Sequence, residues 1–275
     1  MPADEQAVLR HAFLFRSYHR YVAHFDALIR TQLEQPQQSV EAAFADEATT
    51  ELRAVGFRAA QAAHYFALFY QLRRAYYFIA RALVGESTSM RSLREALWNN
   101  VFTYDVRTYD EVLWSRMEDY STLLLGETGT GKGSASEALG RSGHIPFDLR
   151  SRRFALSFTD AFIATNLSQF PASLIESELF GHRKGAFTGA VSDHEGLFAR
   201  CREYGTLFLG EIGDVSASLQ LKRLRVLQER LFAPVGSHRQ QRFAGRVVAA
   251  TNESLDELRA VVSFATTSFI VCVVT

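Results

Sequence analysis

Cysteine is nearly missing from this chain. Cys201 and Cys272, two in 275 residues, are too few and too far apart for a disulfide framework or a zinc ribbon, and they suit a reducing compartment. Net charge is missing too: 30 Lys and Arg balance 30 Asp and Glu, so no global field draws the chain to nucleic acid or to an anionic membrane. No apolar run is long enough to span a bilayer, and the acidic start, Met1 to Glu5, lacks the basic and apolar regions of a secretory signal. A soluble, cytoplasmic protein is expected. The scattered histidines His11, His19, His24 and His64 show no metal-ligand spacing. What is plentiful is apolar side chain: a hydrophobic fraction of 47% fills the core of one large or two ordinary domains.

Residues 1–83 read as helical. Phe15, Tyr18, Val22, Phe25, Ile29 and Leu33 recur at three- and four-residue steps, and Tyr65, Phe69, Leu72, Tyr76, Ile79 and Leu83 repeat the pattern. Such stripes are the core of a helical bundle more often than the lining of a sensory pocket. Pro36 breaks the first helix, and Ser39 followed by Glu41 suits the start of a second, with a hydroxyl cap and an acid in the first turn. A new unit is expected from Val84, with residues 95–120 as an insertion before the first strand. From Ser121, apolar runs at Ser121–Leu125, Phe162–Leu167, Thr206–Leu209 and Arg246–Thr251 alternate with helical segments, the signature of an α/β fold with a largely parallel sheet.

One stretch organises this second region. Gly126, Glu127, Thr128, Gly129, Thr130, Gly131 and Lys132 have the spacing G-x-x-x-x-G-K, entered from Leu123–Leu125 and followed by a helix-forming segment, Ser134 to Leu139. Glycines let such a loop fold tightly, so that successive N–H groups converge on a phosphate, while the helix N-terminus adds partial positive charge and Lys132 reaches the outer phosphates. A nucleotide site is expected, with Gly133 as its last member.

Further strings extend the pattern: Glu176 to His182 running into Arg183-Lys184-Gly185-Ala186-Phe187-Thr188-Gly189-Ala190, then Gly205 to Gly213, Leu224 to Glu229, and Val247 to Asn252. Together they resemble the central AAA+ domain of sigma-54-dependent transcriptional activators, the bacterial enhancer-binding proteins, over about residues 84–260. The hexapeptide Gly185–Ala190 carries most of the specificity. The resemblance implies a P-loop AAA+ three-layer α/β sandwich that binds ATP with Mg2+, assembles into a homo-oligomeric ring and remodels sigma-54 RNA polymerase holoenzyme. It implies that Gly185, Ala186, Phe187, Thr188, Gly189 and Ala190 form the loop tip that touches sigma-54. It further implies that Glu211 is the general base, Asn252 the sensor that orients water, and Asn166 the switch that bonds the catalytic glutamate.

The chain also departs from that family. Where an Asp-Glu pair closes the second nucleotide strand, this chain has Gly210-Glu211, and after Lys132 it has Gly133 where the family commonly has Glu; Ser134 lies a further 100° round the helix. Both losses weaken the grip on magnesium, which neutralises charge on the transferred phosphoryl group, so no metal ligand is assigned and hydrolysis is expected to be weak. After Ala260 the family continues Phe-Arg-Asp-Asp-Phe-Phe-Tyr-Arg-Leu-Cys-Ser-Asp. Codons for that segment can be chosen so that a shift of one nucleotide translates into residues 264–275 without a mismatch. A frameshift near Ala260 is therefore expected, leaving residues 261–275 as an aberrant tail; a β-prone terminal strand or a membrane-seeking tail is the alternative. The flanking strand beside Leu123–Leu125, the helical lid, the arginine finger and any DNA reader would then be absent, the ring would be compromised, and the open strand edge would invite aggregation. A finger is worth roughly 10³–10⁵ in turnover where measured. Arg223, Arg225, Arg239, Arg242 and Arg246 are scattered and are expected on solvated or intersubunit surface. Three readings stay open: an ATP-driven transcription activator, a nucleotide-binding pseudoenzyme that still contacts sigma-54, and a non-functional fragment.

Overall fold

The computed structural model describes residues 3–212, 222, 226–253 and 269–274. Helices α1 (Ala3–Glu34), α2 (Ala45–Ala54) and α3 (Ala59–Ala75) open the chain, and α4 (Thr88–Phe102) and α5 (Val106–Thr108) precede strand β1 (Ser121–Leu125). There follow α6 (Lys132–Arg141), β2 (Phe147–Asp148), β3 (Arg153–Phe154), β4 (Phe162–Asn166), α7 (Ala172–Phe180), α8 (Leu197–Arg200), β5 (Thr206–Gly210), β6 (Leu231–Phe232), β7 (Gln241–Arg242), β8 (Arg246–Thr251) and β9 (Phe269–Val273). These elements fall into two units: residues 1–77 with 144–160, and residues 78–143 with 161–275.

In the first unit α1, α2 and α3 pack around aromatic rings. Phe25 meets Phe44 edge-on at 5.0 Å, Phe66 lies 4.4 Å from Phe147, and Tyr70 lies 4.3 Å from Phe154. The periodic stripe therefore forms core at Phe25, Ile29 and Phe69, but not throughout: Phe15 and Tyr76 are exposed. The helix expected to begin at Ser39 begins instead at Ala45, after Phe44. Buried Gln32 explains the delay, because its amide nitrogen donates to the carbonyls of Gln35 (2.6 Å) and Gln38 (2.7 Å) while its oxygen accepts from the Val40 amide (2.9 Å). Glu41, the intended first-turn acid, pairs with Arg152 at 2.5 Å. These bonds satisfy loop backbone that would otherwise have to enter a helix.

In the second unit β4, β5, β8, β1 and β9 form one sheet in that order, with every neighbouring pair parallel. Every residue of β1 and β8 is buried, as a parallel sheet covered on both faces requires. The strand period of two puts Leu123, Leu125, Leu207, Leu209, Val247 and Ala249 into one cluster with Leu179, Phe180, Leu197 and Phe198. Residues 95–102, expected as part of an insertion, belong to α4, whose Leu97, Asn100, Val101 and Phe102 are buried.

The tail is the largest correction. The strand expected to be missing beside β1 is present: Phe269–Val273 pairs with Ser121–Leu125, with Ser121 opposite Phe269 and Leu125 opposite Val273. The apolar, β-branched composition of Phe269–Val274 suits that position, so the edge of β1 expected to be open is covered. Residues 264–268 of the same tail lie outside the described residues. Arg246 is also corrected, being buried rather than on the surface. Its Nη2 donates to Asn100 Oδ1 (2.5 Å) and Thr122 Oγ1 (3.0 Å), and its Nε donates to the Tyr120 carbonyl (3.0 Å). Burial pushes its guanidinium down to about 10, while Tyr109 and Cys272 beside it act the other way. Asn100 Nδ2 in turn lies 3.9 Å from Cys272 Sγ in β9. Arg239 and Arg242 are exposed as expected, and Arg223 and Arg225 lie outside the described residues.

Two outcomes test this packing. Cys272→Lys places a like charge beside the buried Arg246 guanidinium, so the full chain should lose on the order of 3 kcal/mol in denaturant unfolding, whereas Val191→Lys, on the surface, should lose little. Equal stability of the two would show that β9 contributes nothing to the fold. In the first unit His144 is buried and held down to about 3, by burial first and then by His64 and Arg74. Its folded value lies below the unfolded value, so the unfolded chain binds the extra proton between about pH 3 and 6.5 and stability falls as pH falls through that window. From pH 7 to 5 the loss should be about 2 kcal/mol, and His144→Gln should remove that part of the slope.

Candidate functional site

The strand ends collect the site. Leu125 lies opposite Thr251, and Asn166 lies opposite Gly210, so the carboxyl ends of β1, β8, β4 and β5 share one edge, the edge at which open parallel sheets bind ligands. The loop Gly126–Lys132 leaves β1 there. Its first amide, from Gly126, donates to the Thr251 carbonyl (3.3 Å), and the amide and hydroxyl of Thr130 donate to the Glu127 carbonyl (3.3 and 2.8 Å). Gly131 caps α6 at φ 93°, a left-handed conformation that a side chain would strain. Gly126 is required for a different reason: an added Cβ would lie 2.1 Å from the carbonyl oxygen of Val274, whose amide donates to the Leu125 carbonyl (2.6 Å).

The donors of the loop are arranged for an anion. Ala135 makes the first α-helical hydrogen bond, to the Gly131 carbonyl (2.9 Å), so the amides of Lys132, Gly133 and Ser134 precede the ladder at the positive end of α6. A Cβ built at Gly129, Gly131 or Gly133 meets nothing within 4 Å, so that side of the loop is bare backbone. Lys132 is 7% exposed, and its Nζ donates to the carbonyls of Gly126 (2.7 Å) and Glu127 (2.9 Å). Neutral carbonyls do not neutralise an ammonium, which keeps a further donor for a phosphate oxygen. The residues fit the phosphates of a nucleotide.

They offer magnesium little to hold: position 210 has no carboxylate and position 133 no oxygen-bearing side chain. The backbone at Gly210 does not need glycine: an added Cβ there stays 3.5 Å or more from its neighbours.

Of the remaining site residues, Glu211 follows β5, is half-buried and has φ 53°, a backbone conformation that costs a non-glycine residue roughly 1–3 kcal/mol. Asn166 ends β4, but its Oδ1 accepts from the amide (3.1 Å) and hydroxyl (3.0 Å) of Ser168, capping the short turn Leu167–Gln169. Asn252 follows β8 and is exposed. Gly213 and the segment Leu224-Arg225 lie outside the described residues.

The hexapeptide Gly185–Ala190 lies at the tip of a hairpin. Its stem is an antiparallel bridge between His182 and His194, with a parallel bridge from His182 to Val235. The Gly185 amide donates to the Ala190 carbonyl (2.8 Å) across the tip, and Gly185 and Gly189 adopt left-handed φ of 82° and 100°. Phe187 is 37% exposed, Thr188 is exposed and Ala190 is buried. Sequence reasoning missed the groups that hold this stem. Asp193 pairs with Arg183 and accepts from the Lys184 amide (2.8 Å), and Ser177 bonds His182 (2.6 Å). Only the position of His182 just ahead of the hexapeptide hinted at its part.

The family model described as the Sigma-54 interaction domain matches residues 105–270, starting later and ending later than the span expected from sequence. The transcriptional regulatory protein GlrR of Escherichia coli K12 is 43% identical over 155 residues, covering 56% of this chain and 32% of GlrR. The transcriptional regulator VasH of Vibrio cholerae serotype O1 is 39% identical over 182 residues (66% of this chain, 29% of VasH), and the regulatory protein AtoC of E. coli K12 is 40% identical over 190 residues (66% and 38%). The chain spans about a third of the length of these curated relatives. The crystal structure of NtrX from Brucella abortus in complex with ADP shares the fold, with a TM-score of 0.50 at 19% identity, covering 90% of this chain and 52% of that one. Among the described residues no helix is long and apolar enough to cross a membrane. The chain belongs to the sigma-54 interaction domain family.

Proposed function

We propose that this chain binds ATP in the loop Gly126–Gly133 and uses the nucleotide to control how Gly185–Ala190 meets sigma-54 in the RNA polymerase holoenzyme, as part of a transcriptional regulator. The observation that carries this reading is Lys132, buried with its ammonium on neutral loop carbonyls beside the leading amides of α6, on the same sheet edge from which the chain departs towards the hairpin. Bound ATP supplies a terminal phosphoanhydride whose cleavage changes the charge at this edge. The amides of Lys132, Gly133 and Ser134 hold phosphate oxygens, and Lys132 turns from its carbonyls towards the outermost ones. Glu211 takes the proton from the attacking water and Asn252 orients that water. Asn166, by exchanging Ser168 for Glu211, senses whether the carboxylate is engaged. Its position opposite Gly210, next to Glu211, supports that role.

Gly210 and Gly133 favour a second reading for this chain: a module that holds nucleotide and contacts sigma-54 with little turnover. Neither supplies the oxygen that would position a metal beside the phosphates, so binding and hydrolysis come apart.

Calorimetric titration of ATP and a phosphate-release assay on the purified full chain test both readings. Lys132→Ala should weaken ATP binding by roughly 10- to 100-fold, the worth of a charge-assisted hydrogen bond. The unmodified chain should bind ATP with slow phosphate release, and Gly210→Asp, which the site admits sterically, should speed magnesium-dependent release by about tenfold or more. Rapid magnesium-dependent release by the unmodified chain would remove the second reading. ATP affinity indifferent to Lys132→Ala would remove both.

A further inference from the structure

We infer that His182 is a positioning residue for the sigma-54 contact: its imidazole, fixed by Ser177, is the seat that presents Phe187 at the hairpin tip. The inference rests on the sigma-54 reading above.

The stem is bonded from several sides, and the tip beyond it carries the exposed ring. His182 is restrained from several sides. Its amide donates to the His194 carbonyl (3.0 Å) and its carbonyl accepts from the His194 amide (2.9 Å), while the two imidazoles stack with centroids 5.4 Å apart. Nδ1 shares a 2.6 Å hydrogen bond with the hydroxyl of Ser177, which is buried on α7. The Ser177 carbonyl accepts from the Gly181 amide (2.8 Å), so the same residue closes the end of α7 and orients the ring one step beyond it. His194 Nε2 lies 3.5 Å from the Glu178 carboxylate, also on α7.

Beyond the stem, backbone bonds close the tip: Ala186 to Arg183, Gly185 to Ala190, Ala190 to Phe187 and Val191 to Gly189. Phe187 stands between Gly185 and Gly189, one residue removed from each. Its ring meets His182 edge-on, with centroids 4.9 Å apart at 65°, a favoured aromatic arrangement. More than a third of Phe187 stays exposed for a partner. A ring confined before binding does not have to be ordered during it, so the seat raises affinity without touching the partner. The direction is therefore fixed: unseating Phe187 weakens binding.

The test is the affinity of the ATP-loaded full chain for purified sigma-54, with ATP affinity measured alongside as a control on folding. Phe187→Ala should abolish measurable sigma-54 binding. His182→Ala should weaken it about three- to tenfold, the worth of one aromatic pair. Ser177→Ala should weaken it in the same direction by less, because the ring stays but loses its orienting bond. His182→Phe keeps an aromatic seat without the hydrogen bond and should restore affinity to within about twofold of the unmodified chain, at unchanged ATP affinity. If Phe187→Ala abolishes binding while His182→Ala binds normally, the seat is wrong and the sigma-54 reading stands. If Phe187→Ala binds like the unmodified chain, the sigma-54 reading itself fails. A His182→Ala defect that His182→Phe does not repair, or that comes with an equal loss of ATP affinity, is a general defect of the hairpin and overturns the seat.

Discussion

A buried guanidinium held by neutral oxygens fixes the middle of the sheet. Arg246 opens β8 and spends its hydrogen bonds on Asn100 of α4, Thr122 of β1 and the Tyr120 carbonyl just before β1. Burying a charge on neutral oxygens is costly, which is why its value falls to about 10, and the hydrogen bonds from Nε and Nη2 offset part of that cost. The same cluster touches β9 through Asn100 and Cys272. Three strands and a helix are thereby held in one register. That register puts Leu125, Thr251 and Val273 side by side and starts the phosphate loop where β1 ends.

From that edge, one helix leads to the hairpin. Asn166 ends β4, the turn Leu167–Gln169 follows, and α7 runs from Ala172 to Phe180 before the chain enters the stem at His182. The helix ends on the carbonyl of Ser177, whose hydroxyl also orients His182. In the proposed function, a change in what Asn166 bonds has to be carried by a short, buried helix whose Ile175, Leu179 and Phe180 lie in the core cluster. Packed cores shift between discrete arrangements rather than deform continuously, so such a helix moves as a piece. The second attachment of the stem, the Arg183 amide on the Val235 carbonyl (3.0 Å), is the bond that such a movement must strain or exchange.

How much of this was legible depended on whether the cause was local. Strands β1, β4, β5 and β8 appear in the sequence as apolar runs within a residue of their observed ends; for β1 and β8 the cause is burial on both faces, which demands apolar residues along the length. The phosphate loop was legible through glycine spacing. The start of α2 was not, because a single buried glutamine on α1 holds residues 35–40 in a loop, and Gln32 looks like any polar residue of an amphipathic helix. β9 was misjudged because comparison with the expected continuation outweighed its composition; a strand slot beside β1 asks only for an extended apolar segment, which Phe269–Val274 is. Arg246 was assigned to the surface because nothing near it in sequence marks Asn100 and Thr122 as its partners. For the same reason, the grouping of residues 144–160 with the first helices has no sequence signal: the aromatic contacts of Phe147 and Phe154 with Phe66 and Tyr70 are visible only once the chain is folded.

The two glycines that depart from the family differ from the glycines the fold requires. At Gly131 the backbone is left-handed, and at Gly126 another main chain passes too close for any side chain. At Gly210 and Gly133 neither condition holds, since both have room for a Cβ and neither has a left-handed φ. Glycine at these positions is therefore not demanded by shape. Glu211, a side-chain-bearing residue and the base of the proposed function, meanwhile sits at φ 53°, a conformation held at a cost. Phosphate binding by amides and one ammonium depends on backbone shape, whereas metal-assisted turnover depends on particular oxygens. In the proposed function, a chain that keeps the first and lacks the second acts as a nucleotide-responsive contact, with Phe187 as the part that meets the partner.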